Sequence, residues 1–230
     1  IKLFFKNNIL IKLLKLIFHP IKLVHKIKSI NKSSKKNIII NWEERTKKFK
    51  KYSVLDTQTP NNEYDYVTKM QKIFLFTTLK KFISGKETNI LDFGCGTGRF
   101  SKGLASLTKK GKVLAVDTEK NLIKLTKDSK RVKHKHIKSF KDIKGKFDMI
   151  FIVNVLGGIE VKNLKKISNY LISKLKKNGI LLLNENVDNK NSSNLEILKA
   201  WTSRHEKFYT RLFSKIRLKK VDEYKNKVVL

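Results

Sequence analysis

The sequence predicts a doubly wound α/β fold around a mostly parallel sheet. Three observations predict it. From Asn89 onward the apolar pattern switches repeatedly between the strand period and the helix period. Two segments, "FDMIFIVNV" and "GILLLNEN", are near-continuous apolar runs of the kind a strand shows when both faces of its sheet are covered. A glycine loop, "GCGTG", joins the first strand to the next helix, which is where such folds bind ligands.

The elements follow in order. Residues 1–36 contain ten lysines and no acid, interleaved with Ile, Leu and Phe. Lys12 and Lys15 interrupt "ILIKLLKLIF", so a secretory signal, whose apolar core is continuous, is a poor match. The segment is expected to be a basic amphipathic leader or helical extension. As a membrane-surface helix it would immerse Phe4, Phe5, Leu10, Leu14 and Phe18 in an anionic bilayer, and Pro20 would end it. Residues 37–230 form the expected domain. Its first strong helix starts after Pro60 and presents Val67, Met70, Phe74, Thr78 and Phe82 on one face, ending near Gly85.

"NILDF" is then a strand and 97–110 a helix, with Phe100, Leu104 and Leu107 in register; "KVLAV" is a strand and 119–129 a helix. "VKHKHIK" alternates, as a strand near the sheet edge does, and "FDMIFIVNV" is central. A long helix places Val161, Leu164, Ser168, Leu171 and Leu175 in line and stops before Gly179; "GILLLNEN" is the next strand. Ser203 and Glu206 have the spacing of a capping box, and "IRLKKVDEYK" and "KVVL" read as closing strands. The chain opens on Ile1 and stops as "KVVL" begins, so either end is read as open to continuation.

The formal charge of +34 is what a polyanion-binding protein carries. Only six of the 53 basic residues are arginine, however, and bidentate recognition of phosphate and guanine favours arginine. Lysine, asparagine and isoleucine are abundant together, the bias of an AT-rich coding sequence, so nucleic acid is not the favoured partner. The lone cysteine, Cys95, excludes an internal disulfide and a multi-cysteine zinc site, and it suits a reducing cytoplasm. No apolar run reaches the length of a transmembrane helix.

In a doubly wound sheet the ligand lies outside the carboxyl ends of the strands, where Asp92, Asp117, Asn154, Asn184 and Glu185 all fall. A dinucleotide loop requires a third glycine three positions after the second, and Arg99 stands there. Asp92 would also repel a pyrophosphate. A carboxylate beside a glycine loop instead suits a ligand with an ammonium group, whose own carboxylate would face the N–H groups of the bare Gly94–Gly98 backbone, and Asp117, at the end of the next strand, suits vicinal ribose hydroxyls. An amino acid joined to a nucleoside without phosphate meets both requirements: S-adenosylmethionine.

D-x-G-x-G-x-G, followed by a strand-ending acid in "VLAVDTE", resembles the class I S-adenosylmethionine-dependent methyltransferases over about Asn61 to Glu185. A weaker likeness, in "WEERTKKFKKYSVLDTQTP" and "VLGGI", is to methyltransferases of bacterial surface-glycan synthesis. The resemblance implies a seven-stranded Rossmann-like sheet and S-adenosylmethionine as cofactor. It implies that Asp92, Gly94, Cys95, Gly96 and Gly98 hold the methionine end, and that Asp117 and Thr118 hold the ribose. Asn154 and Val155 would border the sulfonium and the acceptor. Where many members have an acid for adenine this chain has Ser139, with Phe140 to cover the ring.

No motif singles out a catalytic base; Glu185, His205 and Glu206 are candidates by place or type. His134 and His136 share a strand face, but no third metal ligand accompanies them, so no metal is expected. The acceptor is expected to be a small molecule or glycan precursor methylated on oxygen or nitrogen. The alternatives are an RNA methyltransferase and a non-catalytic S-adenosylmethionine-binding protein docked on a membrane. The expected location is cytoplasmic, with contact to the inner face of the membrane through residues 1–36.

Overall fold

The computed structural model describes residues 41–55, 59–187, 202–224 and 227–229. The leader expected over residues 1–36 lies outside the described residues.

Two helices precede the sheet. In α1 (Trp42–Phe49) the Asn41 side chain caps the first turn by accepting the N–H of Glu44 at 3.2 Å. A 3₁₀ turn (Lys50–Val54) follows, stapled by Arg45, whose guanidinium donates to the carbonyls of Ser53 at 2.7 Å and Leu55 at 2.6 Å. The second helix, α2 (Tyr64–Lys80), buries Tyr64, Thr68, Leu75, Thr78 and Leu79. The expected face of Val67, Met70, Phe74, Thr78 and Phe82 is therefore rotated, and Phe82 is half exposed. Polar contacts, invisible to an apolar count, turn the helix: Tyr64 is hydrogen-bonded to Thr97, and Thr68 accepts from Arg99.

Five strands run parallel: β1 (Asn89–Phe93), β2 (Lys112–Asp117), β3 (Val132–His136), β4 (Phe147–Val153) and β5 (Leu175–Asn186). Two three-residue strands, β6 (Asp222–Tyr224) and β7 (Lys227–Val229), complete one edge in antiparallel fashion. The order is β3-β2-β1-β4-β5-β7-β6. The chain walks outward from β1 to β3 and returns to β4 on the other side, so strand order reverses between β1 and β4. A crevice at their carboxyl ends is the consequence.

Alternation along the strands feeds two cores. Leu91, Phe93, Ile150 and Ile152 face α5 (Val161–Lys174) and α6 (Glu206–Leu212), while Ile90, Met149 and Phe151 face α2 and α3 (Ser101–Ser106). Burial on both faces explains the continuous apolar runs.

Several boundaries differ from expectation. The helix expected over 97–110 is α3 alone, because Thr97–Phe100 form turns. That expected over 119–129 shrinks to α4 (Lys120–Ile123), since Asp128 is drawn off to accept from the His134 N–H at 2.8 Å. Helix α5 ends at Lys174: Leu175 pairs with Phe147, and Lys176 reaches Asp148 at 2.9 Å, so β5 starts before Gly179 and bulges there. Helix α6 is capped by His205 rather than Ser203; Arg204 is pulled inward and Ser203 stays exposed.

Candidate donor-binding site

Asp92 lies within β1, on the face shared with Ile90, and is 3% exposed. Its Oδ2 accepts from Ser101 Oγ at 2.7 Å, at the start of α3. Burial pushes this carboxyl up to about 7; the Ser101 hydroxyl restrains the rise, the Asp117 charge adds to it, and Arg99 opposes it. Among the described residues no cation forms an ion pair with Asp92.

The loop after β1 is built from three left-handed glycines, Gly94 at φ 71°, Gly96 at 56° and Gly98 at 72°. Each also has a protein neighbour where a side chain would project: Val155 at 2.4 Å from a Cβ on Gly94, Val54 at 2.9 Å on Gly96, and His134 at 2.5 Å on Gly98. The glycines thus also admit this chain's own side chains. One expectation is corrected, that of the loop N–H groups facing a ligand carboxylate. Those of Gly94 and Cys95 donate to the Val116 carbonyl, that of Gly98 to the Cys95 carbonyl, and that of Gly96 to Asp117 Oδ2 at 2.8 Å. They are not free to bind a ligand carboxylate. Cys95 is buried in the core on the α2 side, and burial, with Asp92 and Asp117 adding, pushes its thiol well above the ordinary range.

Asp117 closes β2 in register beside β1. Its carboxylate also accepts from the Glu119 N–H at 2.8 Å, and burial raises its pKa against those hydrogen bonds. Each oxygen keeps acceptor capacity for a further donor. Thr118, next along, is exposed. Ser139 caps a 3₁₀ turn (Phe140–Asp142) in a capping box: its Oγ accepts from Lys141, and Asp142 accepts back from the Ser139 N–H at 3.0 Å. Phe140 meets Tyr170 edge-on at 5.2 Å. Asp142 therefore points at its own turn.

Asn154 follows β4 in the left-handed region, φ 53°, with its N–H on the Asn184 carbonyl at 2.8 Å and its Oδ1 buried without a partner. Val155 covers Gly94. The candidate bases are otherwise engaged. Glu185 accepts three backbone N–H groups of residues 155–157, His205 Nδ1 accepts from Lys207, and Glu206 accepts from Lys220. His134 is likewise structural: Nδ1 meets Asp128 at 3.0 Å.

Sequence reasoning missed Tyr64, Val54, Arg99 and Arg204. Arg99 donates to Gln71 Oε1 at 2.7 Å and stacks over Phe100, tying the loop to α2. No local spacing marks any of them; only Arg99, directly after the third glycine, carried a positional signal.

A parallel sheet reversing at β1 and β4, with acids at the ends of β1 and β2 around a glycine loop, defines the class I S-adenosylmethionine-dependent methyltransferase architecture. A family model described as a methyltransferase domain matches residues 84–226, and the chain belongs to that family, whose methyl donor is S-adenosylmethionine. No curated protein matches the sequence.

Solved structures share the fold. Human N-acetylserotonin methyltransferase in complex with SAM is 14% identical, with a TM-score of 0.56 over 71% of this chain and 53% of that one. The pyocyanin biosynthetic protein PhzM is 14% identical, with a TM-score of 0.58 over 75% and 58%. Magnesium protoporphyrin IX methyltransferase from Synechocystis PCC 6803, with bound SAH, is 14% identical, with a TM-score of 0.58 over 81% and 90%. The chain spans little more than half the length of the first two.

The residues present fit the donor at its two ends. Asp92 offers a buried carboxylate that an ammonium would relieve, and Asp117 offers acceptors at the neighbouring strand end.

Proposed function

We propose that this protein transfers a methyl group from S-adenosylmethionine to an oxygen or nitrogen of a small-molecule or glycan-precursor acceptor. The observation that carries the donor half is the pair Asp92 and Asp117, on adjacent parallel strands either side of the glycine loop. When bound, S-adenosylmethionine supplies an electrophilic methyl on a sulfonium with a neutral thioether as leaving group. Asp92 holds the ammonium; Asp117 and Thr118 take the ribose hydroxyls. Gly94, Cys95, Gly96 and Gly98 shape the floor, Ser139 and Phe140 border the adenine, and Asn154 and Val155 border the reacting centre. With the N–H groups of Gly94, Cys95, Gly96 and Gly98 engaged internally, the crevice selects its ligand by the ammonium and the ribose more than by the carboxylate.

With so good a leaving group, orientation of the acceptor accounts for most of the rate, and an unprotonated amine needs no base. The engaged states of Glu185, His205 and Glu206 accord with that. Among the described residues the connections from β1 to β5 are short, which supports a small acceptor over a large one. The lysine-rich surface keeps RNA as the second reading, and a donor-binding protein without catalysis as the third.

Residues 1–36 are proposed as a separate basic segment that meets an anionic membrane from its cytoplasmic side. No helix among the described residues is long and apolar enough to cross a membrane.

The test has two stages. Thermal shift should show stabilisation by S-adenosylmethionine and S-adenosylhomocysteine but not by NAD. Incubation with metabolite extracts should then release S-adenosylhomocysteine. A shift with NAD alone rejects the donor assignment; release from RNA and from no small-molecule fraction rejects the acceptor class; binding without release from any pool leaves the non-catalytic reading. Deleting residues 1–36 should abolish binding to anionic vesicles, and undiminished binding rejects the leader's role.

A further inference from the structure

The turn that carries Asn154 and Val155 is held through both its N–H and its C=O groups by two buried charges. Glu185, 1% exposed, accepts the N–H of Val155 at 2.7 Å, of Leu156 at 2.7 Å and of Gly157 at 3.3 Å. Arg204, 9% exposed, donates to the carbonyls of Leu156 at 2.9 Å and Ile159 at 3.0 Å. The Thr202 N–H adds a bond to the Gly157 carbonyl at 2.9 Å, and Arg204 is bridged to Val187 at the end of β5. Each charge is hydrogen-bonded to the turn and not to the other. Wholly buried Tyr209 is coupled electrostatically to both.

Stability alone does not call for this arrangement, because burying two charges costs more than filling the same space with apolar side chains. The turn itself has features that relax unless imposed. Asn154 is left-handed with a buried, unpartnered Oδ1, and the Val155 methyls fill the space into which a Gly94 side chain would project. Such a backbone persists where its surroundings over-determine it.

We propose that Glu185 and Arg204 are positioning residues: together they hold turn 154–159 in the one conformation that shapes the wall of the donor crevice beside Gly94. Neither touches the ligand; each acts through the turn. The proposal rests on the donor-binding reading. Release of either charge lets Asn154 leave its strained conformation and Val155 swing from Gly94, which weakens binding of the amino-acid nucleoside while the fold persists.

The experiment titrates the full chain with S-adenosylhomocysteine by calorimetry, at a temperature where circular dichroism shows every variant folded. Arg204→Met should lower affinity about tenfold, and Arg204→Lys, which keeps charge without the planar fork, should recover part of the loss. Phe213→Leu, a core change in the same region outside the turn, serves as the stability-matched control and should leave affinity within about twofold. Glu185→Gln, with one acceptor oxygen in place of two, is the second variant should Arg204→Met not fold, and should lose several-fold. Wild-type affinity in the variant that folds, or an equal loss in the Phe213 control, overturns the proposal. Absence of binding by the wild-type chain overturns the donor reading itself, and the proposal with it.

Discussion

The imidazole of His134 occupies the space that a side chain on Gly98 would need: a Cβ there would stand 2.5 Å from His134 Nε2. The third glycine of the loop is therefore locked to the third strand, through a histidine that Asp128 holds by its other nitrogen at 3.0 Å. Gly98→Ala should destabilise the protein by about 1–2 kcal/mol from its left-handed backbone alone, with the clash added. His134→Ala in the same chain should relieve the clash and leave the backbone part. A double-mutant cycle by denaturant unfolding measures this, and additive losses would show that the contact carries no energy.

Asp92 is predicted to trade stability for binding. Asp92→Asn keeps an acceptor for Ser101 and removes a buried charge, so the ligand-free protein should gain a few degrees in Tm at pH 8. The same variant should lose most of the thermal shift with S-adenosylmethionine. An unchanged ligand response would mean that Asp92 does not meet the ammonium.

The pH dependence has a definite sign. The carboxyls of Asp92 and Glu185 are both raised to about 7 in the fold, chiefly by burial, from ordinary values of 3.8 and 4.5. The folded state holds these protons more tightly than the unfolded chain, so their contribution is full below about pH 4 and is lost as pH rises through about 7. Ligand-free Tm should fall across that window, and Asp92→Asn should flatten part of the slope. A flat wild-type profile contradicts the burial of both groups.

Asp148 acts in the opposite direction at the other end of the sheet. Its Oδ2 accepts from the Thr88 and Asn89 N–H groups at 3.0 and 2.9 Å, and Lys176 pairs with it. These partners outweigh partial burial and lower its carboxyl from 3.8 to about 2. Its stabilisation is present above about pH 4 and lost as pH falls through about 2; after discounting for solvent screening it is worth about 1 kcal/mol. Asp148→Ala should cost that much at pH 7 by urea denaturation, and clearly less at pH 2, where the folded carboxyl is about half protonated.

Much of this was legible in the sequence because strand and helix periods are local. "NILDF" and "KVLAV" became β1 and β2, and Asp92 and Asp117 stand at neighbouring strand ends as their spacing required. The helix boundaries were less legible. Asp128 and Lys176 left their expected helices for partners in other strands, His134 and Asp148, and no local pattern records such a partner.

By itself the sequence determined the order of strands and helices, the glycine loop and the acids beside it, since each rests on residues close together along the chain. Only the tertiary structure decided that Val155, Val54 and His134 fill the space beside the three glycines. It alone converted Glu185 from a candidate base into an acceptor for three backbone N–H groups, and brought Arg204 to the same turn from 45 residues beyond Ile159. The physical reason is that a buried charge takes its role from whatever donors and acceptors the fold brings within hydrogen-bonding distance, and those partners lie far away in sequence.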